Sequence, residues 1–459
     1  MTLSSRKFQR GVRTGRWLLL LATAGIAGML GGCGHKTPRR GQTVISFWEP
    51  YGGASKTRLQ KVIDEFERLH PNIHVAVSYA ANNLTSSQKL FLAIAGGVPP
   101  DVTVVDGQQA TEWAARGALD NITRQVRQAG ISGRDFWTPR WKESVFAGRV
   151  YALPWGADPN FALAWNKKLF RQAGLNPNDP PRTMAQLDRD IRRLTVIGPR
   201  GRIIRMGLIP WEFGSANSLF TWAYAFGGNF YDPPRGNRLI GRVTINNPRN
   251  IEALRWMARY AKRYGISRVA AFQSNFIGVA ANPFYTGQVA MTLLYIEQDP
   301  LIRRYAPTLD YGVSFIPAGP HGHYPTGWLG GWSLAIPKGS KVTPAAFEFI
   351  RWMCASAAGS LAYGKDMAMF PAYRKSPYYK TIRNNKHLMV FYRIVAQSTH
   401  ARSLMPVQGY LMELLHRAGQ QVFYNHRSAR RELDKINRLV KERLAEVVRR
   451  ARNRLERRR

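Results

Sequence analysis

The chain has 459 residues, enough for two domains and a sizeable core, and its 45% hydrophobic and 12% aromatic content marks it as globular. Its 67 Lys and Arg against 28 Asp and Glu leave a formal charge of +39, which attracts anionic lipid, wall polymer or nucleic acid. The excess is spread along the chain, with one denser block at the end, as on a solvated basic surface. No RRM or helix-turn-helix signature accompanies it, so no specific nucleic-acid partner is expected.

The N-terminus reads as an export signal. Arg6, Lys7, Arg10, Arg13 and Arg16 precede an apolar stretch, Trp17 to Leu30, too short and too rich in small residues for a stable membrane span. It runs into Leu30-Gly31-Gly32-Cys33, which resembles a bacterial lipobox. Residues 1–32 are then expected to be a lipoprotein signal peptide, with Cys33 as the lipid-attachment residue. An ordinary signal peptide that happens to contain a cysteine is the alternative. Residues 33–42 form a linker, and two acyl chains plus His35, Lys36, Arg39 and Arg40 suffice for stable anchoring. Cys33 and Cys354 are the two cysteines, so lipidation of the first leaves no disulfide partner. Cys354 lies in the helical pattern 345–355, as a small buried thiol.

Residues 44–48, VISFW, predict a strand, and Leu59, Val62, Ile63, Phe66 and Leu69 recur at helical spacing. His70-Pro71-Asn72 breaks that helix before a second strand, 73–77. A second helix-to-strand step follows: a helix ends at Gly96-Gly97, Pro99-Pro100 stop it from restarting, and Val102 to Val105 reads as a buried parallel strand. Asp106 and Gln108 stand just past that strand's carboxyl end, where open α/β sheets gather ligands. The next helix carries Trp113 and stops at Gly117. Strand and helix alternate as in a doubly wound α/β fold.

FWEPYGG, FERLHPNIHV, AIAGGVPPDV and WAARGAL, in that order, resemble bacterial extracellular solute-binding proteins of ABC transporters, family 1, in the branch containing the maltose-binding protein. The resemblance continues in YALPWGADPNFALAWNKKLFRQAGL, TGQVAMTLL, GWLGGWSLAIPKGS and AAFEFIRWM, and covers nearly everything after residue 42. It implies a two-lobe periplasmic-binding-protein-like fold of type II, each lobe a mainly parallel sheet flanked by helices. It also implies closure on a ligand that is handed to the transmembrane subunits of a permease. The expected lobes are 43–157 plus about 338–372, and 158–337 plus about 373–448, with 449–459 a frayed basic tail.

Further along, Tyr151–Trp155, Phe161–Trp165, Met206–Pro210, Val289–Tyr295, Tyr311–Ile316 and Ser333–Pro337 are predicted strands, with a last crossing at Met369–Tyr373. Helices are predicted at 167–173, after the N-cap Thr183, up to Phe226, at 251–264 and from 406 onward. A sugar offers C–H faces to aromatic rings and paired hydroxyls to carboxylates or amides. Strand ends that also match the family's contact positions therefore nominate Trp48, Asp106, Asp158, Trp211, Glu212, Tyr295 and Trp332. Each has a plainer reading beside the functional one. Trp48, Trp211, Tyr295 and Trp332 could be packing residues, Asp106 a helix cap, Asp158 a hinge turn and Glu212 a solvated loop charge.

The leading expectation is a lipid-anchored subunit that binds a mono- or oligosaccharide. The alternatives are the same fold carrying an anion such as a glycerophosphodiester, a surface polyanion binder, or a secreted glycan-cleaving enzyme using two carboxylates. No HExxH, nucleophile elbow or P-loop occurs, so no catalytic residue, metal site or cofactor is expected. Tyr378-Tyr379 resembles the paired tyrosines of ferric-binding relatives, but its polar surroundings point to a surface segment. An arginine-rich excess also suits an acidic exterior, where carboxylates lose charge.

Overall fold

In the computed structural model, the residues described are 37–80, 84–212, 214–234, 241–402 and 404–456; Cys33 and the signal segment lie outside them. Strand β1 (Thr43–Glu49) buries Ile45, Phe47 and Glu49 and turns the alternate residues outward. Helix α1 (Gly53–Leu69) carries the chain to β2 (Ile73–Tyr79), and α2 (Leu84–Ala95) carries it to β3 (Val102–Asp106). Both β2 and β3 pair with β1 in parallel, as the alternation of strand and helix requires. Helices α3 (Gly107–Arg116) and α4 (Thr138–Glu143) follow.

The next strands are β4 (Leu153–Pro154), β5 (Asp158–Asn160) and β6 (Ala162–Asn166). Helices α5 (Met184–Leu194), α6 (Gly214–Ala225) and α7 (Pro248–Tyr264) build the middle of the chain. Thr183 caps α5 with Gln186 in a reciprocal capping box. Then come β7 (Met291–Leu294), β8 (Tyr311–Ser314), β9 (Trp328–Gly330) and β10 (Trp332–Ala335). The chain ends in α8 (Thr343–Ala355), α9 (Ala357–Met367), α10 (Lys386–Gln397), the short β11 (His400–Ala401), α11 (Gln408–Phe423) and α12 (Ala429–Glu456).

The first sheet has the order β2-β1-β3-β10-β4, with β10 inserted antiparallel between β3 and β4. A late strand thus completes an early sheet. Phe47, Phe66 and Phe349 meet edge to face beneath it at 4.9–5.3 Å. The second sheet is antiparallel, with β6 between β7 and β8, where the sequence pattern suggests parallel neighbours. Strand β6 enters directly from β5, and β7 and β8, both reached later through helices, run opposite to it. A third sheet, β11-β9-β5, joins the other two, because β5 runs on into β6 and β9 into β10. Gly331 makes the second junction possible. Its φ is +127°, and a Cβ there would lie 2.5 Å from the Gly156 carbonyl oxygen.

Among the described residues, three apolar clusters form the core. One lies among α5, α6, α7, α11 and α12, around Leu187, Trp222, Trp256, Leu411 and Val440. Another lies under the first sheet and follows the crossing strands to Leu294 and Val313. The third, smaller one packs Trp113 and Leu119 against Tyr151 and Ala451.

Several sequence expectations change here. Tyr151–Trp155 shrinks to two paired residues, Leu153 and Pro154. Met206–Pro210 is no strand: Met206 makes a single bridge to Val289, and Pro210 has no N–H with which to extend a ladder. Met369–Tyr373 crosses through isolated bridges, Gly156 to Pro371 and Phe136 to Tyr373, for the same reason. Tyr378 and Tyr379 are buried, not on the surface, and the Tyr379 hydroxyl sits between Trp137 Nε1 and the Pro371 carbonyl. Cys354 is buried in α8, as expected.

The tail does not fray at Val448. Helix α12 continues to Glu456, with Val448 and Ala451 buried and Arg454 donating to the Ala115 carbonyl at the end of α3. The apolar stripe carried further than the arginine density suggested, and a terminal guanidinium suits the negative end of a helix. Leu444→Ala is therefore expected to cost about 2–4 kcal/mol, read as a lower urea midpoint at unchanged slope. A loss within about 0.5 kcal/mol would mean that the helix end is not part of the core.

Candidate functional site

The site is built where β5 and β9 cross. Their register sets Asp158 opposite Gly330, and that of β3 and β10 sets Asp106 opposite Trp332. Arg140 of α4 holds these strands from below. It is fully buried; its Nε donates to the Gly156 carbonyl at 2.8 Å, and Nη2 to the Trp332 carbonyl at 3.1 Å and to Ser333 Oγ at 3.2 Å. Its other nitrogen pairs with buried Glu143. Burial pulls the guanidinium down to about 10, opposed by Asp158 and Asp106, so it stays charged at neutral pH.

Above that platform stand acids held at the protonation boundary. Asp158 is half-buried, and its Oδ1 has no hydrogen-bond partner among the described residues. Burial raises its carboxyl above the ordinary range; Arg140 and Arg402 pull it back, and Asp106 pushes it further up. Glu297, just beyond β7, is raised first by burial and then by Asp158, so the two share a proton more readily than either would alone. Glu212 is pushed by burial to about 7, although the Thr292 hydroxyl donates to its Oε2 at 2.7 Å. The Tyr295 hydroxyl is raised by burial and then by Glu297 and Glu212, which ties those two acids to one neighbourhood.

Aromatic faces flank the acids. The Tyr51 ring meets Trp155 at 6.1 Å and Trp332 at 6.5 Å, both edge to face, and Tyr363 lies 4.5 Å from Trp155. The Tyr51 and Tyr363 hydroxyls both feel Asp158 and Glu297.

All seven nominated side chains are half-buried, neither sealed in the core nor standing free. Asp158, Glu212, Tyr295 and Trp332 belong to the connected group just described. Asp106 caps α3 by accepting from the Gln108 N–H at 3.3 Å, and its second oxygen takes Gln108 Nε2 at 2.7 Å and Arg402 at 2.9 Å. It reaches the group through its charge. Trp48 carries the Lys89 ammonium 4.6 Å from its ring centre, and Trp211 packs 5.3 Å from Phe423. Glu297, Tyr51 and Tyr363 were missed. Glu297 had a signal, an acid two residues past Tyr295 at the end of an apolar strand, and Tyr51 lay within the FWEPYGG turn. Arg140 and Arg402 had none, since their partners are distant in sequence.

Among the described residues no cluster of three or more His, Cys, Asp and Glu is placed to hold a metal ion, and no helix is long and apolar enough to cross a membrane. The arrangement can accept hydrogen bonds from hydroxyls and offer flat faces to C–H groups.

Comparison with known proteins agrees with that geometry. The family of bacterial extracellular solute-binding proteins matches residues 53–359. A mannitol-binding protein of Pseudomonas aeruginosa is 27% identical over 327 residues, 68% of either chain. The sn-glycerol-3-phosphate-binding periplasmic protein UgpB of Salmonella typhimurium is 24% identical over 309 residues, covering 65% of this chain and 66% of its own. Among solved structures, CpMnBP1 with mannotriose bound superposes with a TM-score of 0.75 at 25% identity, over 86% of this chain and 99% of its own. The sugar-binding protein MalE of Xanthomonas citri gives 0.71 at 20% identity, over 88% and 98%. The late strand inserted antiparallel into the first sheet and the crossing strands between sheets have the same origin as these matches: the chain belongs to the bacterial extracellular solute-binding protein family and has its two-lobe, type II periplasmic-binding fold.

Proposed function

We propose that this chain is the exported, lipid-anchored binding subunit of an ABC importer, and that it takes an uncharged carbohydrate between its lobes and releases it to the permease without breaking a bond. Cys33 is the proposed anchor. The proposed lobes are 43–157 plus about 338–372, and 158–337 plus about 373 to the C-terminal helix. The observation that carries the ligand class is the group Asp158, Glu297 and Glu212, half-buried acids set among Tyr51, Tyr295 and Trp332. Acids with carboxyls raised by burial offer both a donor and acceptors to hydroxyls, and once ionised they repel an anionic cargo. That favours a polyol or sugar over the glycerophosphate class, although one relative bears that name. The mannitol-binding relative and the mannotriose-bound neighbour point the same way.

Ligand that binds only the folded, closed form raises the melting temperature by mass action. A thermal-shift screen of polyols, monosaccharides and manno- and malto-oligosaccharides is expected to give at least one saturable rise. Trp332→Ala is expected to weaken that ligand about tenfold or more, since one aromatic face is lost from the stack. A screen flat across all of these sugars would end the carbohydrate reading.

A further inference from the structure

A cavity of about 620 Å³ opens beside β11 and contains none of the nominated sugar residues. Its volume suits a small organic ligand. Its lining includes Lys142, Arg402, His321, His323 and His400 and, among the described residues, no carboxylate. Tyr224 and His400 stack 4.8 Å apart at 12°, making a flat wall, and Phe315 and Ile394 supply apolar surface. The histidine loop is held in place by backbone: Gly227 has φ +82°, and a Cβ there would lie 2.0 Å from the His321 carbonyl oxygen.

Arg402 is the link between this cavity and the sugar site. Its Nη1 pairs with Asp106 at 2.9 Å, its guanidinium lies 5.0 Å over the Trp328 ring, and its Nε is buried with no hydrogen-bond partner among the described residues. An arginine that lines a basic cavity and keeps hydrogen-bonding capacity beyond its Asp106 pair is a planar anion receptor.

The geometry points to this cavity as a binding site for a small organic anion, a phosphate or carboxylate carried on a flat apolar body, distinct from the sugar site and coupled to it through Arg402 and Asp106. An anion bound against Arg402 competes with Asp106 for the guanidinium. It thereby weakens the attraction that Arg402 exerts on Asp158. Linkage makes the effect mutual: each ligand changes the other's affinity by the same factor.

The test is calorimetric titration of the full folded chain with phenyl phosphate and with inorganic phosphate, in about 0.15 M salt to screen the basic surface. Phenyl phosphate is expected to bind one-to-one and more tightly than phosphate. Lys142→Ala combined with His323→Ala, both exposed positions, is expected to weaken it about tenfold or more without lowering the melting temperature. With any sugar found by the screen, saturating phenyl phosphate is expected to shift the sugar's Kd several-fold, and the sugar to shift the phosphate's equally. No binding up to about 10 mM, equal binding by the double variant, or independent affinities would each overturn the proposal. Phenyl phosphate binding alongside a flat sugar screen would overturn only the carbohydrate reading.

Discussion

Arg140→Met is expected to remove about 3–5 kcal/mol of stability, more than any other single substitution proposed for this chain. The guanidinium is wholly enclosed, and three of its hydrogen bonds go to Gly156, Trp332 and Ser333, on both crossing segments. Methionine fills a similar volume but takes the Arg140 donor from the Gly156 carbonyl and strands the buried charge of Glu143, while the Trp332 carbonyl keeps the Trp155 and Gly156 N–H groups. The pair itself need not be strongly stabilising, because desolvating two ions offsets most of their attraction. Arg140→Met with Glu143→Leu is therefore expected to recover a good part of the loss. Urea denaturation followed by tryptophan fluorescence reads both. A single variant within about 1 kcal/mol of the parent would show that the crossing strands hold without this arginine.

Stability is expected to fall as pH rises from about 5 to 7, and the acids of the proposed sugar site are the cause. Glu212 is held by burial at about 7 against an ordinary 4.5, and Asp158 and Glu297 are both raised. In that window the folded chain keeps protons that the unfolded chain has released, so the slope of stability with pH is negative. The stabilisation is full below the unfolded pKa and is lost as pH climbs through the folded one. A tenfold change in proton affinity is about 1.4 kcal/mol, and partial solvent screening leaves about 1–2 kcal/mol for Glu212. His387 and His400, lowered by burial, work the other way as pH falls through the histidine range.

Glu212→Gln and Glu297→Gln are each expected to flatten the decline, and together nearly to remove it. Melting temperature at half-unit pH steps, without ligand, is the measurement. A maximum near pH 8 in the parent protein would contradict the whole account of these acids. The same slope bears on habitat: a chain with +39 formal charge whose site acids prefer their protons suits an acidic exterior.

Local pattern reached far into this structure. Alternation and helical spacing located β1, α1, β2, α2 and β3, and their parallel pairing followed from the helices between them. Strand ends led to Asp158, Glu212, Tyr295 and Trp332, because the carboxyl end of a strand is where a side chain leaves the core for a crevice. The apolar stripe of α12 was readable as well, but the arginines around it suggested an end that the packing of Ala451 does not permit.

What the residue string determined by itself was therefore periodicity, caps and the kinds of side chain available to a ligand, all properties of neighbours within a few positions. The tertiary structure alone decided which late strand enters the first sheet, that the second sheet is antiparallel, and that Arg402 meets Asp106 from nearly three hundred residues away. It also decided which carboxylates lose enough water to hold their protons. Those outcomes depend on chain crossing and on desolvation, and neither quantity exists until distant segments share one interior.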